Sequence, residues 1–171
     1  MFAARFLHDF SKCGGVEILE GLADSGDAVL ERYHSSGFSD VLTDGGNVEL
    51  VQGSMLEGYD WSDGDVIFAN STCFDDILME EMGRRAELLQ PGAFVVTFTK
   101  GLTNPAFEVL ERRRYKMSWG PATVYFHRRL NPDGTSVGGF ELREVPDDDD
   151  EYDSPEVRLR ASRADVATSC A

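Results

Sequence analysis

Residues 65–76, Asp-Val-Ile-Phe-Ala-Asn-Ser-Thr-Cys-Phe-Asp-Asp, decide the fold, because an apolar run ends there in short polar side chains. Asp65–Ala69 has the length and composition of a strand. Hydroxyl, amide and carboxylate oxygens from Asn70 onward can accept hydrogen bonds from the unpaired N–H groups that begin a helix, and acids favour its positive end. The stretch therefore predicts a strand that leads directly into a helix.

The alternation continues towards the C-terminus. The predicted helix ends at Pro91-Gly92, and the continuous apolar run Ala93–Thr99 is typical of a strand buried on both faces. We next expect a helix near Pro105–Arg113. Two strands follow, Tyr115–Trp119 and Thr123–Arg129, close enough in sequence to pair antiparallel.

The alternation also precedes the deciding stretch. Phenylalanines four residues apart predict an opening amphipathic helix, which Gly14-Gly15 would end. Three elements follow in order: a strand at Val16–Leu19, a helix from Asp24 or Ser25 to Tyr33, and a strand at Val48–Gln52. Strand–helix alternation with an antiparallel last pair indicates an α/β fold with a doubly wound, Rossmann-like sheet.

The chain has 171 residues and a net charge of −15, and this charge is unevenly distributed along it. Eight acids and no base lie between Glu144 and Glu156, and such a block of like charge is typical of disorder. We therefore expect one partial domain at residues 1–145 and an acidic disordered tail at residues 146–171. The overall acidity argues against a nucleic-acid-binding surface over the whole chain.

Other classes are excluded by what the sequence lacks. No stretch approaches the ~20 apolar residues of a membrane span, and Arg5 and Asp9 interrupt the apolar N-terminus, unlike a secretory signal peptide. The three cysteines form no C-x-x-C pair, and the scattered histidines predict no metal cluster. The sequence predicts an intracellular protein without a structural metal.

Three polar positions lie at predicted carboxyl ends of strands, where doubly wound sheets bind ligands. Glu17 is either an acceptor for ribose hydroxyls or an ordinary surface glutamate. Ser54-Met55 either contacts a nucleobase or forms a plain turn, and Asn70 either caps a helix or lies at a reaction site. Cys73 has no histidine base at a suitable spacing, so packing is the preferred interpretation.

A basic segment is the exception to the acidity of the chain. It contains six cations and no acid, and it flanks Trp119: Arg112, Arg113, Arg114, Lys116, Arg128 and Arg129. This Arg112–Arg129 patch is either a solvated edge or a contact for an anionic partner.

A cofactor-binding α/β domain has a glycine-rich turn after its first strand, which lets backbone N–H groups approach the ligand. No strand and no G-x-G sequence precede the opening helix here. We therefore expect a sheet that lacks its first strand, and poor or no cofactor binding by the chain on its own.

Five short motifs together resemble the Dot-type histone-lysine methyltransferases (disruptor of telomeric silencing), in the order that family has them. They are Gly15-Val-Glu-Ile-Leu19, Gly53-Ser-Met-Leu56, Val66-Ile-Phe-Ala-Asn70, Pro91-Gly92 and Met117-Ser-Trp-Gly120. The resemblance covers residues 1–129 and corresponds to the part of the catalytic domain that follows the first glycine-rich motif.

The resemblance implies S-adenosylmethionine as cofactor, with Glu17 at its ribose and Ser54-Met55 at its adenine. It implies that Asn70 also borders the cofactor and, with Phe68, lines the methyl-transfer site. Thr99 and Trp119 would line a channel for the acceptor lysine, and the family's channel tyrosine falls near Val124 or Tyr125.

The resemblance also implies a nucleosomal core histone as acceptor, a nuclear location and a nucleosome contact through the Arg112–Arg129 patch. Two alternatives stay open. One is a methyltransferase that acts on another class of substrate. The other is a truncated, inactive remnant that serves as an interaction module.

Overall fold

The computed structural model describes residues 1–8, 10–37 and 47–138, which group into two compact units. The first unit contains Met1–Gly64 and Arg84–Leu89, and the second contains Asp65–Gly83 and the chain from Gln90 onward. The predicted acidic tail, residues 146–171, lies outside the described residues. No described helix has the length and hydropathy needed to cross a membrane.

In its described residues, the first unit contains a two-stranded parallel sheet and two helices. Its elements are α1 at Phe2–Leu7, β1 at Lys12–Glu17, α2 at Glu20–Ser35 and β2 at Asn47–Gln52. Cys13, Tyr33 and Val48 form its buried core, and Phe2 and Leu30 pack against them. This packing accounts for the helical spacing of Phe2 and Phe6, since both rings contact Tyr33.

The second unit contains a four-stranded mixed sheet in the order β3-β4-β6-β5. Its strands are β3 at Val66–Ala69, β4 at Phe94–Phe98, β5 at Phe107–Met117 and β6 at Gly120–Arg129. β3 and β4 run parallel, whereas β6 is antiparallel to both β4 and β5. Val96, Phe98, Ala122 and Val124 form a buried cluster on one face of this sheet.

Between β3 and β4 lie a short 3-10 turn at Ser71–Cys73 and the helix α3 at Asp76–Ala86. The carboxylate of Asp75 accepts a hydrogen bond from the Leu78 N–H at 2.8 Å, which is the cap expected from the polar cluster. The buried positions of α3 are Met79, Met82, Gly83 and Ala86. The predicted strand–helix–strand sequence is confirmed here.

One predicted helix is wrong. Residues near Pro105–Arg113 were expected to be helical, but Phe107–Met117 is the long strand β5, paired antiparallel with Gly120–Arg129. Glutamate, leucine and arginine are good helix formers, so the local sequence favours a helix. Ten paired positions on β6 outweigh this preference, because β-structure is decided by packing against a neighbouring strand.

The first strand also begins earlier than predicted. β1 covers Lys12–Glu17 instead of Val16–Leu19, so Gly14 and Gly15 lie inside a strand and do not end the opening helix. A Cβ atom at Gly14 would collide with the hydroxyl of Tyr59. Glycine is therefore required here so that Tyr59 can approach the backbone of β1, and the spacing of residues in the sequence does not reveal this contact. Helix α2 likewise starts at Glu20, before the predicted Asp24 or Ser25.

The fold class predicted from the sequence is confirmed as α/β with an antiparallel last pair of strands. Among the described residues the strands form two sheets, and neither sheet contains both β1 and β3. This agrees with the expectation of an incomplete doubly wound sheet.

Candidate active site

In the first unit, the carboxyl ends of β1 and β2 bring Glu17 and Ser54 to one edge. The two strands are parallel, Glu17 is opposite Gln52, and the Gly53 N–H donates to the Glu17 carbonyl at 2.9 Å. The residues that were predicted to contact the ribose and adenine of a cofactor therefore lie on adjacent strand ends.

The half-buried Glu17 carboxylate has one oxygen engaged. Its Oε1 accepts a hydrogen bond from the Leu19 N–H at 2.9 Å, immediately before α2. A Cβ atom placed on neighbouring Gly53 would meet no atom within 4 Å. An anionic acceptor beside open space fits the hydroxyl donors of a ribose.

Ser54 and Met55 lie in a half-buried turn with defined backbone contacts. The Ser54 Oγ accepts from the Leu56 N–H at 3.1 Å, and the indole Nε1 of Trp61 donates to the Met55 carbonyl at 2.8 Å. These two bonds hold the backbone of the turn, and Met55 is half-buried there.

In the second unit, the carboxyl ends of β3 and β4 bring the Asn70 turn beside Phe98 and Thr99. Ala69 is opposite Thr97, and the buried Ser71 hydroxyl both donates to the Phe98 carbonyl and accepts from its N–H, each at 2.9 Å. The Ser71 side chain thus makes the pair of hydrogen bonds to Phe98 that a further backbone residue of β3 would otherwise make. Sequence reasoning missed this role, because a hydroxyl in a polar turn gives no sign of a partner 27 residues away.

Asn70 and Phe68 are exposed at this edge. The Asn70 amide oxygen accepts a hydrogen bond from the Thr72 hydroxyl at 3.3 Å. The Phe68 ring is 67% exposed and meets Phe98 edge-to-face with the ring centroids 5.2 Å apart. An amide beside an exposed aromatic ring can position a polar group carried on an apolar chain.

Thr99 directly follows β4 and has a strained backbone conformation, with a φ of 70°. Non-glycine residues rarely adopt this region, and β-branched ones least of all. The Thr99 N–H donates to the Thr123 carbonyl at 2.7 Å, and the buried Thr97 hydroxyl donates to the Lys100 carbonyl at 2.7 Å. These bonds hold the turn in place.

His127 holds the segment that follows Thr99, and sequence reasoning missed this role. It is wholly buried, its Nδ1 lies 2.9 Å from the Val95 carbonyl, and its Nε2 accepts from the Leu102 N–H at 2.9 Å. Because Leu102 N–H is a donor, Nε2 carries no proton and Nδ1–H donates to Val95. Burial lowers the pKa of His127 below its ordinary value.

Trp119 is not brought beside the other predicted transfer residues. It lies in the turn between β5 and β6 and is 56% exposed. Thr123, which contacts Thr99, is four residues further along, or about 13 Å in an extended strand. Val124 is buried in the core, whereas Tyr125 lies on the opposite face with its ring stacked on His127 at 6.1 Å.

The Arg112–Arg129 patch divides by exposure. Three of its cations are buried or half-buried against partners within the unit: Arg113, Arg128 and Arg129. Arg128 pairs with Glu108 at 2.8 Å, and the Ser136 hydroxyl together with this guanidinium lowers the pKa of Glu108. The other three occupy alternate, exposed positions of β5, and we call them the β5 cation row: Arg112, Arg114 and Lys116.

Packing was the preferred interpretation of Cys73, and it is wrong, because this side chain is not buried. Cys13 is buried and Cys73 is exposed. Within the described part of the chain, no group of three metal-ligating side chains comes together.

Comparison with solved structures identifies the fold. A protein from Haemophilus influenzae described as a methylase is 14% identical, with a TM-score of 0.52 and a match that covers 71% of this chain and 74% of that one. TrmN from Thermus thermophilus is 17% identical, with a TM-score of 0.51; the match covers 75% of this chain and 39% of that one. An Escherichia coli protein described as a methyltransferase, yhhF, is 10% identical with a TM-score of 0.50, over 75% and 82% of the two chains.

The described chain therefore has the Rossmann-like fold of these methyltransferases. No family model matches the sequence, and no curated protein matches it.

Proposed function

We propose that this chain is an S-adenosylmethionine-dependent methyltransferase that acts on a lysine amine. The observation that carries the proposal is the position of Glu17. Its carboxylate lies at the carboxyl end of β1, beside the Gly53–Met55 turn, in a fold shared with solved methyltransferases. This edge is where Rossmann-like sheets bind nucleosides.

Each cofactor-binding residue has a distinct role in the proposal. The Glu17 carboxylate accepts hydrogen bonds from both ribose hydroxyls, and Ser54 and Met55 border the adenine. When bound, S-adenosylmethionine supplies an activated methyl group. The protein contributes orientation of the two reactants, which is a large part of the rate enhancement in such transfers.

The transfer residues act on the acceptor. Asn70 orients the amine through its side-chain amide, and Phe68 covers the methylene groups of the lysine. Apolar surroundings favour the neutral amine over the ammonium ion, so no strong base is needed to make it nucleophilic. Thr99 borders the acceptor from the end of β4, and Trp119 would contact the acceptor protein further out.

The Dot-type resemblance leads us to propose a nucleosomal histone lysine as acceptor, which would require a nuclear location. The β5 cation row supports this choice, because three exposed cations on one strand face suit DNA phosphates. The less exposed cations, such as Arg128, are assigned no role in this contact.

Calorimetric titration with S-adenosylmethionine tests the cofactor assignment. Because the glycine-rich turn is missing from the sequence, we expect only weak, though saturable, binding by the full chain. Glu17→Gln should weaken it further, about tenfold or more, because a charged acceptor is replaced by a neutral one that accepts fewer hydrogen bonds. Glu20→Gln, an exposed position at the start of α2, is the matched control. Absence of saturable binding by the unaltered chain would contradict the cofactor and favour an interaction module.

Transfer of labelled methyl groups tests the acceptor. The full chain is assayed with nucleosomes, free histones and a panel of RNA and small amines, alongside Asn70→Ala. Labelled histone that disappears in Asn70→Ala is the expected result. Labelling of RNA or a small amine instead would make the protein a methyltransferase of another substrate class.

A further inference from the structure

The loop that carries Ser54 and Met55 is held by side chains instead of regular structure. It extends from Gly53 to Gly64 after β2 and contains only isolated bridges of Ser54 with Glu57 and Gly58. A loop without a helix or an extended ladder needs other partners for its carbonyl groups if it is to present a fixed surface.

Arg85 supplies two of these partners from the last turn of α3. Its Nη1 donates to the Leu56 carbonyl at 3.0 Å, and its Nη2 donates to the Tyr59 carbonyl at 2.7 Å. One guanidinium therefore joins two carbonyl groups that are three residues apart in the loop. All of these residues belong to the first unit.

Trp61 completes the arrangement. The guanidinium carbon of Arg85 lies 5.8 Å from the Trp61 ring centroid, which is within cation–π distance. The buried Trp61 indole in turn donates to the Met55 carbonyl. A chain of contacts thus connects Arg85 with Met55 itself.

Only arginine can make this set of contacts. The guanidinium is planar and presents its donors in a fixed fork, so both carbonyls and the ring are engaged in one geometry. A lysine ammonium could reach one carbonyl but could not span both while lying over the indole.

We propose that Arg85 is the positioning residue for the adenine side of the cofactor site, acting through the carbonyls of Leu56 and Tyr59 and through Trp61. This inference rests on the proposed function. It assigns to Arg85 no contact with cofactor or acceptor: its effect is on the position of Ser54 and Met55.

The test is the kinetics and binding of Arg85→Met and Arg85→Lys in the full chain, with Arg32→Met, an exposed arginine on α2, as control. We expect Arg85→Met to weaken S-adenosylmethionine about tenfold or more in calorimetry, with a matching rise in KM. Arg85→Lys should fall between Arg85→Met and the unaltered chain. The kcat at saturating cofactor should stay within about twofold, because the transfer residues are untouched.

A fluorescence measurement follows the loop without any cofactor. In a Trp119→Phe background, Trp61 is the only tryptophan, and Arg85→Met should shift its emission to longer wavelength and increase quenching by acrylamide. If Arg85→Met does not fold, the conservative Arg85→Lys variant provides both the binding and the fluorescence measurements.

The outcomes separate the two proposals. Binding by the unaltered chain with equal affinity in both Arg85 variants would overturn the role of Arg85 alone. A fall in kcat equal to the loss of affinity would also overturn it, because the residue would then support the whole domain. No binding by the unaltered chain would overturn the cofactor assignment, and the role of Arg85 with it.

Discussion

At the scale of single residues, His127 links the stability of the second unit to pH. Its neutral ring accepts from Leu102 N–H, and protonation would place a second proton against that donor. Burial lowers its pKa in the folded state, whereas the unfolded chain has a value of about 6.5. As the pH falls below about 6.5, the unfolded state therefore takes up the proton first and folding becomes less favourable.

We predict that the free energy of unfolding is insensitive to this group above about pH 7 and decreases below pH 6.5, by at most about 1.4 kcal/mol per pH unit. Urea denaturation at pH 7.5 and 5.5 measures the effect, which should be smaller in His127→Gln. His34→Gln is the control at an exposed histidine. An equal pH dependence in His127→Gln would contradict the assignment. The carboxylates with lowered pKa, such as Glu108, respond at more acidic pH.

At the scale of elements, the sequence predicted those whose own residues determine them. The apolar run of β4 and the acidic cap of α3 need no distant partner to be recognised. The strand β5 could not be predicted, because Glu108 and Arg112 favour a helix and only pairing with β6 decides otherwise. The start of β1 was missed for the same reason, since the need for Gly14 comes from Tyr59.

The contact between Gly14 and Tyr59 gives a prediction for β1. Gly14→Ala should destabilise the protein by about 1–3 kcal/mol, because its Cβ atom would overlap the Tyr59 hydroxyl. The cost should be smaller in Tyr59→Phe, where the nearest ring carbon lies 3.3 Å from the new Cβ. Urea denaturation of the four variants in a double-mutant cycle measures the coupling and removes the separate effect of breaking the Tyr59–Glu49 hydrogen bond.

Gly21→Ala is the control for this cycle, because a Cβ atom there meets no atom within 4 Å. Alanine favours helix over glycine, so this variant should be neutral or more stable. An equal cost of Gly14→Ala with tyrosine or phenylalanine at residue 59 would show that the hydroxyl does not limit β1.

At the scale of the whole molecule, the candidate site could be predicted only in part. The sequence predicted that Glu17 lies in the first strand and that Asn70 follows the apolar run of β3, and the structure has both residues at the carboxyl end of a strand. Their roles stay predictions. Ser71, Arg85 and His127 were not found, because each acts on backbone groups at least 25 residues away. Neither their residue type nor their spacing reveals those partners.

Because the chain as a whole is acidic, with a net charge of −15, DNA binding is best tested at its exposed cations, the β5 cation row. We predict that Arg112→Gln with Arg114→Gln weakens nucleosome binding and lowers the slope of log K against log salt by about 0.9 for each phosphate that is no longer neutralised. Titrations at several salt concentrations measure this slope. Arg128→Gln should leave it unchanged, because Arg128 is buried against Glu108. The DNA contact is contradicted if the double variant keeps the full slope.

The edge position of β5 gives its cations a second consequence. β5 is eleven residues long and, among the strands formed by the described residues, it lies at the edge of its sheet. Its outer backbone groups can therefore serve as a template for strands from other copies of the protein. Charged side chains and the irregular register at Val109/Glu111 both oppose such edge-to-edge pairing. We therefore expect the cation row also to oppose aggregation through this edge. Light scattering of the double variant should rise with protein concentration even where no DNA is present.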